Sequence, residues 1–287
     1  IILGLRNDIF CFNVESIPEL EVINELAVRE NKIASICLRV NPNIKAHTHT
    51  HIRTGVAENK FGIAFDEIMY VIKLANTMSN ITFKGLHFHI GSQITEMDDF
   101  ISLCMCINRL LEMMEVEGIK AEIINVGGGL GVDYDTPQMH AIPDFHAYFQ
   151  TYINNLQLRP WQTLHFELGR SVVAQCGTLF TRVLYVKKGV QKQFAIVDAG
   201  MTDLIRPALY HAHHKIENIS STAKTYEYYD VVGPICESTD VFDKQVGMPT
   251  TKRGDMLAIH SIGAYGEVMA SHYNCRALPK AYTDKEI

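Results

Sequence analysis

The sequence predicts an α/β fold in two parts: a strand–helix-repeating parallel half over residues 1–173, then a mostly antiparallel β domain over residues 174–287. Three observations predict it. Short apolar runs alternate with helical patterns through the first half, at a spacing that makes βαβ units. Glycine, histidine and acidic residues collect just after those runs, where parallel α/β folds place their sites. After about Val173 the long helical patterns largely disappear, and strand-like runs separated by Gly, Pro and Asp turns take over.

Each element has its own signal. Ile9 to Glu15 reads as a strand, and Pro18 opens a helix to about Arg29 with Leu20, Ile23 and Ala27 on one face. Ile36 to Val40 is a strand stopped by Asn41-Pro42. Phe65 to Met78 is an amphipathic helix, and Phe83 to Ile90 a third strand. Asp98 to Val116 is a long helix ending near Gly118; Ile123 to Val126 is the fourth strand. Phe145 to Leu156 is helical, and Leu164 to Glu167 is the fifth strand. In the second part Gly177–Val186, Gln193–Asp198, Thr225–Val232 and Asp255–His260 are strands. Five strands with about four helices fit either a doubly wound sheet or a segment of a (β/α)8 barrel.

Composition narrows the function. With 287 residues and 47% hydrophobic content the chain can bury a real core. A net charge of −6 argues against a nucleic-acid or membrane-surface partner, since a phosphate-binding face needs a basic excess. Seven irregularly spaced cysteines indicate neither a disulfide framework nor a zinc ribbon, and reduced thiols in a cytoplasm fit best. No apolar run reaches the length of a membrane span.

The chemistry-bearing residues are few. Gly127-Gly128-Gly129 follows a strand, so its backbone N–H groups can approach a phosphate, although such a run is more often only a tight turn. Arg170, just after the next strand, can bind the same phosphate. His87 and His89 share a strand face and suit a metal pair, a platform for a flat cofactor, or a buried polar pair. His47, His49 and His51 alternate in a polar loop without a nearby Cys or carboxylate to complete a metal site. Lys60, in Asn59-Lys60-Phe61-Gly62, is as readily structural as catalytic. Cys236 stands beside Glu237 and Asp240 in an unusually polar stretch for a cysteine.

These motifs, in this order, resemble the fold-type III pyridoxal-phosphate decarboxylases, the alanine-racemase and ornithine-decarboxylase group. Within it they look most like the diaminopimelate decarboxylase branch. The match runs through Phe12–Ser16, Leu38–Pro42, Asn59–Gly62, His87–Gln93, Gly127–Gly131, Asp198–Gly200 and Cys236–Asp240, essentially the whole chain. The resemblance implies strands four to eight of an alanine-racemase-like barrel, then the β domain. It implies pyridoxal 5'-phosphate as cofactor and decarboxylation of meso-2,6-diaminopimelate to L-lysine and carbon dioxide. His89 would stack on the pyridine ring and Glu167 pair with its nitrogen. Ser92, Gly127, Gly128, Gly129, Gly169 and Arg170 would surround the phosphate, with Tyr265 reaching it. Arg170, Arg206 and Tyr210 would hold substrate carboxylate, Glu237 the distal amine, and Cys236 would supply a proton as the catalytic residue. A homodimer follows, with Cys236, Glu237 and Tyr265 acting near its interface and Cys236 and Glu237 entering the partner's site.

Two departures stand out. Glu167-Leu168-Gly169-Arg170 replaces the family's Glu-Pro-Gly-Arg without losing a functional side chain. The family's first barrel strand, whose Tyr-Ala-x-Lys-Ala-like motif carries the cofactor-binding lysine, has no counterpart here. The expectation is a chain that starts within its barrel and does not turn over efficiently alone. The competing expectations are a metal-dependent barrel hydrolase using His87 and His89, and a pyridoxal-phosphate-binding pseudo-enzyme.

Overall fold

The computed structural model of the chain describes residues 1–44 and 60–283. They divide into two compact units, Ile1–Gly131 with Asp144–Gly169, and Val132–Pro143 with Arg170–Ile287. The second unit begins at Arg170, earlier than the break after 173 read from the sequence. It also takes 132–143, a stretch without strand or helix that interrupts the first unit.

The first unit is a parallel sheet with helices between its strands. In chain order its elements are α1 (Ile2–Arg6), β1 (Phe12–Val14), α2 (Ile17–Arg29), β2 (Ala34–Asn41) and β3 (Ile63–Ala64). There follow α3 (Ile68–Thr77), β4 (Ile81–Phe88), α4 (Met97–Val116), β5 (Ile123–Asn125), α5 (Phe145–Asn155) and β6 (Thr163–His165). The sheet runs β1-β2-β4-β5-β6 with β3 on β2, every pair parallel. Local chemistry explains the helices. The Ser16 hydroxyl caps α2 by accepting from the Glu19 N–H, and Pro18 sits in the first turn, where its missing donor costs nothing. Helix α4 buries Phe100, Leu103, Cys104, Ile107, Leu110, Leu111 and Met114, a 3.6-residue stripe laid on the sheet. Strand β2 is buried nearly end to end, as expected of a strand covered on both faces. The register pairs His87 with Asn125 and Asn125 with His165, bringing the ends of β4, β5 and β6 level.

The second unit is a mixed six-stranded sheet. It contains α6 (Arg170–Val173), β7 (Leu179–Lys188), β8 (Gln193–Val197), α7 (Arg206–Tyr210) and β9 (Ile216–Asn218). Then come β10 (Tyr226–Val232), β11 (Val241–Pro249) and β12 (Met256–Ile259). The order is β11-β10-β8-β7-β12-β9, and every neighbouring pair is antiparallel except β8 with β10. Val183, Val197, Tyr229, Val231, Leu257 and Ile259 form its core.

The two-part α/β architecture is as the sequence predicts, with every predicted strand and helix present. Additions are α1, β3, α6, α7, β9 and β11. Strand β11 is the longest of these, and its charged, glycine-containing run shows only two fully buried positions, so its pattern is faint. No helix among the described residues is long and apolar enough to cross a membrane.

Candidate active site

In the first unit the strand ends converge on one carboxylate. Glu167 lies two residues beyond β6. Its Oε2 faces His87 Nε2 at 3.2 Å, and its Oε1 accepts from Asn125 Nδ2 at 2.8 Å and Asn13 Nδ2 at 3.1 Å. The hydrogen bond from His87 lowers the Glu167 pKa most. The charge on His87 and the two amides add to it, and against the opposing pull of burial they hold the group at about 2. A carboxylate so held is a fixed anion with an exposed side, ready to pair with a protonated ring nitrogen. His87 Nδ1, at the other edge of that imidazole, is buried without a hydrogen-bond partner. Asn13 and Asn125 are site residues that sequence reasoning missed. Their signal was an amide inside an otherwise apolar strand, at ends that the parallel register brings together.

The glycine turn is built by close approach. A Cβ at Gly127 would run into the Phe88 carbonyl, one at Gly128 into the Glu167 carbonyl, and one at Gly129 would lie 2.7 Å from the Gly91 oxygen. The backbone donors are not all open as the sequence suggested. Gly127 N–H donates to Asn125 Oδ1 at 2.9 Å, and Gly128 N–H to His89 Nδ1 at 3.3 Å. The Gly129 N–H meets no acceptor among the described residues. His89 accepts at Nδ1, so its proton sits on Nε2, and burial, then the Arg39 and His87 charges, lower its pKa to about 4. It is a neutral flat ring at neutral pH. Ser92 lies in the bend after β4. Gly169 differs from the three glycines, because a Cβ there would meet nothing within 4 Å.

In the second unit two guanidinium groups share one phenol. Arg170 and Arg206 are buried, and the Nη1 of each donates to the Tyr134 hydroxyl, at 2.7 and 3.2 Å. Arg170 also lies over the Tyr265 ring, 5.0 Å from its centroid, with Tyr265 held at a φ of 65°. Among the described residues no carboxylate pairs with Arg206. A buried guanidinium without a carboxylate partner, as Arg206 is among the described residues, calls for an anionic ligand. Burial, above all, pulls the Arg206 pKa down, and the Tyr134 and Tyr210 oxygens pull it back up. Tyr210 closes α7, the short helix that Arg206 opens. Tyr134 and His214 were also missed from the sequence: the first lies in a stretch of turns and bends without strand or helix, the second in a run of histidines that offers no periodicity.

Cys236 and Glu237 are exposed on the loop between β10 and β11. Buried Asp240 shapes that loop, accepting from the N–H groups of Ile235 at 2.8 Å and Met201 at 2.6 Å. His47, His49, His51 and Asn59 lie outside the described residues. Among the described ones no group of three potential metal ligands is assembled. His87 and His89, the candidate metal pair, engage Glu167 and the Gly128 N–H instead.

Comparison with known proteins matches this arrangement to a family. Residues 2–174 fit the model of the pyridoxal-dependent decarboxylase pyridoxal binding domain. The chain belongs to the pyridoxal-dependent decarboxylases. A diaminopimelate decarboxylase of Bacteroides thetaiotaomicron is 62% identical over 285 residues, 99% of this chain and 74% of that protein. The Haemophilus influenzae diaminopimelate decarboxylase is 43% identical over 280 residues, 96% of this chain and 66% of its own length. Among solved structures, the Helicobacter pylori diaminopimelate decarboxylase complexed with L-lysine superposes with a TM-score of 0.88 at 40% identity, covering 95% of this chain and 67% of that one. The M. jannaschii enzyme, also complexed with L-lysine, superposes at 0.86 with 36% identity, covering 97% and 65%. The chain therefore spans roughly two thirds to three quarters of the length of these relatives.

The residues of this decarboxylase chain fit pyridoxal phosphate. Glu167 is an ionised acceptor for a ring nitrogen, His89 a neutral planar surface, and the glycine turn a place with no room for a Cβ and an open N–H at Gly129. The metal-hydrolase alternative receives no support from these pairings.

Proposed function

We propose that the protein decarboxylates meso-2,6-diaminopimelate to L-lysine and carbon dioxide with pyridoxal phosphate, as a homodimer in the cytoplasm. The observation that carries the reading is the 62% identity with a diaminopimelate decarboxylase over nearly the entire chain. When bound, pyridoxal phosphate supplies an electron sink for the pair left on carbon as carbon dioxide departs. Glu167 keeps the ring nitrogen protonated, and the donors from His87, Asn125 and Asn13 keep Glu167 ionised for that task. His89 supports the ring face. Ser92, the 127–129 turn and Gly169 take the phosphate, with Arg170 and Tyr265 as further contacts.

Arg206, with Arg170 and Tyr210, holds a substrate carboxylate. A substrate with a carboxylate at each end satisfies such a cation where one with a distal amine alone would not, and an unpaired buried guanidinium is costly. Glu237 takes the distal amine, and Cys236 delivers the proton that replaces the lost carboxylate. Their exposure on one protomer suits residues that complete the partner's site. Incubating the full-length holoenzyme with meso-diaminopimelate should release L-lysine and carbon dioxide in equal amounts. Cofactor binding without lysine formation would overturn the reading in favour of a pseudo-enzyme.

A further inference from the structure

His214 has no role in the proposed chemistry, yet its surroundings fix its state completely. It is 1% exposed. Its Nδ1 lies 2.9 Å from the His260 carbonyl oxygen, and its Nε2 lies 2.8 Å from Arg206 Nη1. A carbonyl only accepts, so Nδ1 carries the proton. A guanidinium only donates, so Nε2 presents a lone pair. The ring is thus neutral and in one tautomer. Burial, then the Arg206 charge, lower its pKa to about 3 and keep it so.

The consequence falls on Arg206. Nη1 has two hydrogens: His214 Nε2 accepts one, and the Tyr134 hydroxyl the other. That nitrogen has nothing left to offer. Nε and Nη2 meet no acceptor among the described residues. A guanidinium binds a carboxylate through two parallel N–H bonds along one edge. With Nη1 consumed, the Nε–Nη2 edge is the one free for a carboxylate, and rotation about Cζ–Nε would break both anchoring bonds. The Tyr134 and His214 rings meet edge-on at 5.0 Å, so the two anchors also brace each other.

We propose that His214 is the positioning residue for substrate carboxylate: held as the Nδ1–H tautomer between the His260 carbonyl and Arg206, it pins Nη1 and presents the Nε–Nη2 edge. This rests on the reading of Arg206 as the carboxylate-binding cation. The role is specificity and affinity; the reacting carbon is not involved.

Two isosteres separate the halves of the claim. Gln places an oxygen where Nε2 sits and keeps the acceptor for Arg206. Asn keeps a donor for the His260 carbonyl and loses that acceptor. Steady-state kinetics of the full-length holoenzyme with meso-diaminopimelate should show KM raised about tenfold in His214→Asn, the loss of one charge-assisted hydrogen bond, with kcat within about twofold. His214→Gln should return KM to within about threefold of wild type, with cofactor absorbance and Tm alike in both variants. Unchanged KM in His214→Asn alongside a raised KM in Arg206→Met overturns the positioning role and leaves the functional reading intact. Unchanged KM in Arg206→Met overturns both. Equal losses in Asn and Gln, with Tm falling in step, reduce His214 to a packing residue and overturn the proposal. Nitrogen NMR of the wild type needs no variant to fold: His214 should be protonated at Nδ1 and bare at Nε2, and the reverse tautomer contradicts the proposal.

Discussion

Three donors converge on the Glu167 carboxylate from three different strand ends, and the resulting charge survives acid. Its pKa falls from an ordinary 4.5 to about 2 in the folded chain. A group depressed by folding stabilises above its unfolded pKa, so this contribution is full above about pH 4.5 and is lost as pH falls toward 2. Carbon NMR of the Glu167 carboxyl should titrate near 2, and a midpoint at or above 4.5 would show that the three donors do not act together. Asn125→Leu removes one donor and frees the Gly127 N–H. It should raise that midpoint and weaken cofactor binding by about 1–3 kcal/mol in a titration; equal affinity would deny Asn125 its role. The placement of Glu167 at a strand end, just before Gly169 and Arg170, was legible from sequence. Asn13 and Asn125 were not, because their partner lies 154 and 42 residues away and only the parallel register joins them.

Elements with a strong period were legible, and those built by tertiary contact were not. Helix α4 and strand β2 show their burial in their pattern, whereas β3 spans two residues that become a strand only by pairing with Val40 and Asn41. The glycine turn is the element whose purpose the sequence left open. Its glycines turn out to permit strand ends to meet, so it is a tight turn by construction, and in the proposed reading it is also the cradle of the cofactor phosphate. Gly128→Ala should cost about 1–3 kcal/mol in denaturant unfolding, because its Cβ meets backbone that cannot retreat without moving β6. Gly169→Ala, with nothing within 4 Å of the new carbon, should shift stability by less than about 0.5 kcal/mol. Equal costs would show that the approach of Gly128 to Glu167 is not a tight one.

For the whole molecule the proposed dimer makes its own prediction. Sites shared between protomers let two inactive variants complement each other. Co-expressed Cys236→Ala and Glu167→Gln should recover up to about a quarter of wild-type activity from mixed dimers, while each alone is nearly inactive. No recovery despite mixed dimers on native mass spectrometry would place Cys236 in its own protomer's site. The two-part fold and its order were legible from sequence, since pattern change and motif order survive without coordinates. The assignment of 132–143 to the second unit was not, because it rests on contacts such as Tyr134 with Arg170 and Arg206.

A site built for an amino acid carrying a second carboxylate is tested by kcat/KM of the full-length holoenzyme on meso-diaminopimelate against L-ornithine. Rejection of a substrate that leaves buried polar groups unpaired reaches about 10⁴-fold in sites of this kind, and a ratio of at least about 10³ in favour of diaminopimelate is predicted. Equal efficiency, or a preference for ornithine, would contradict it.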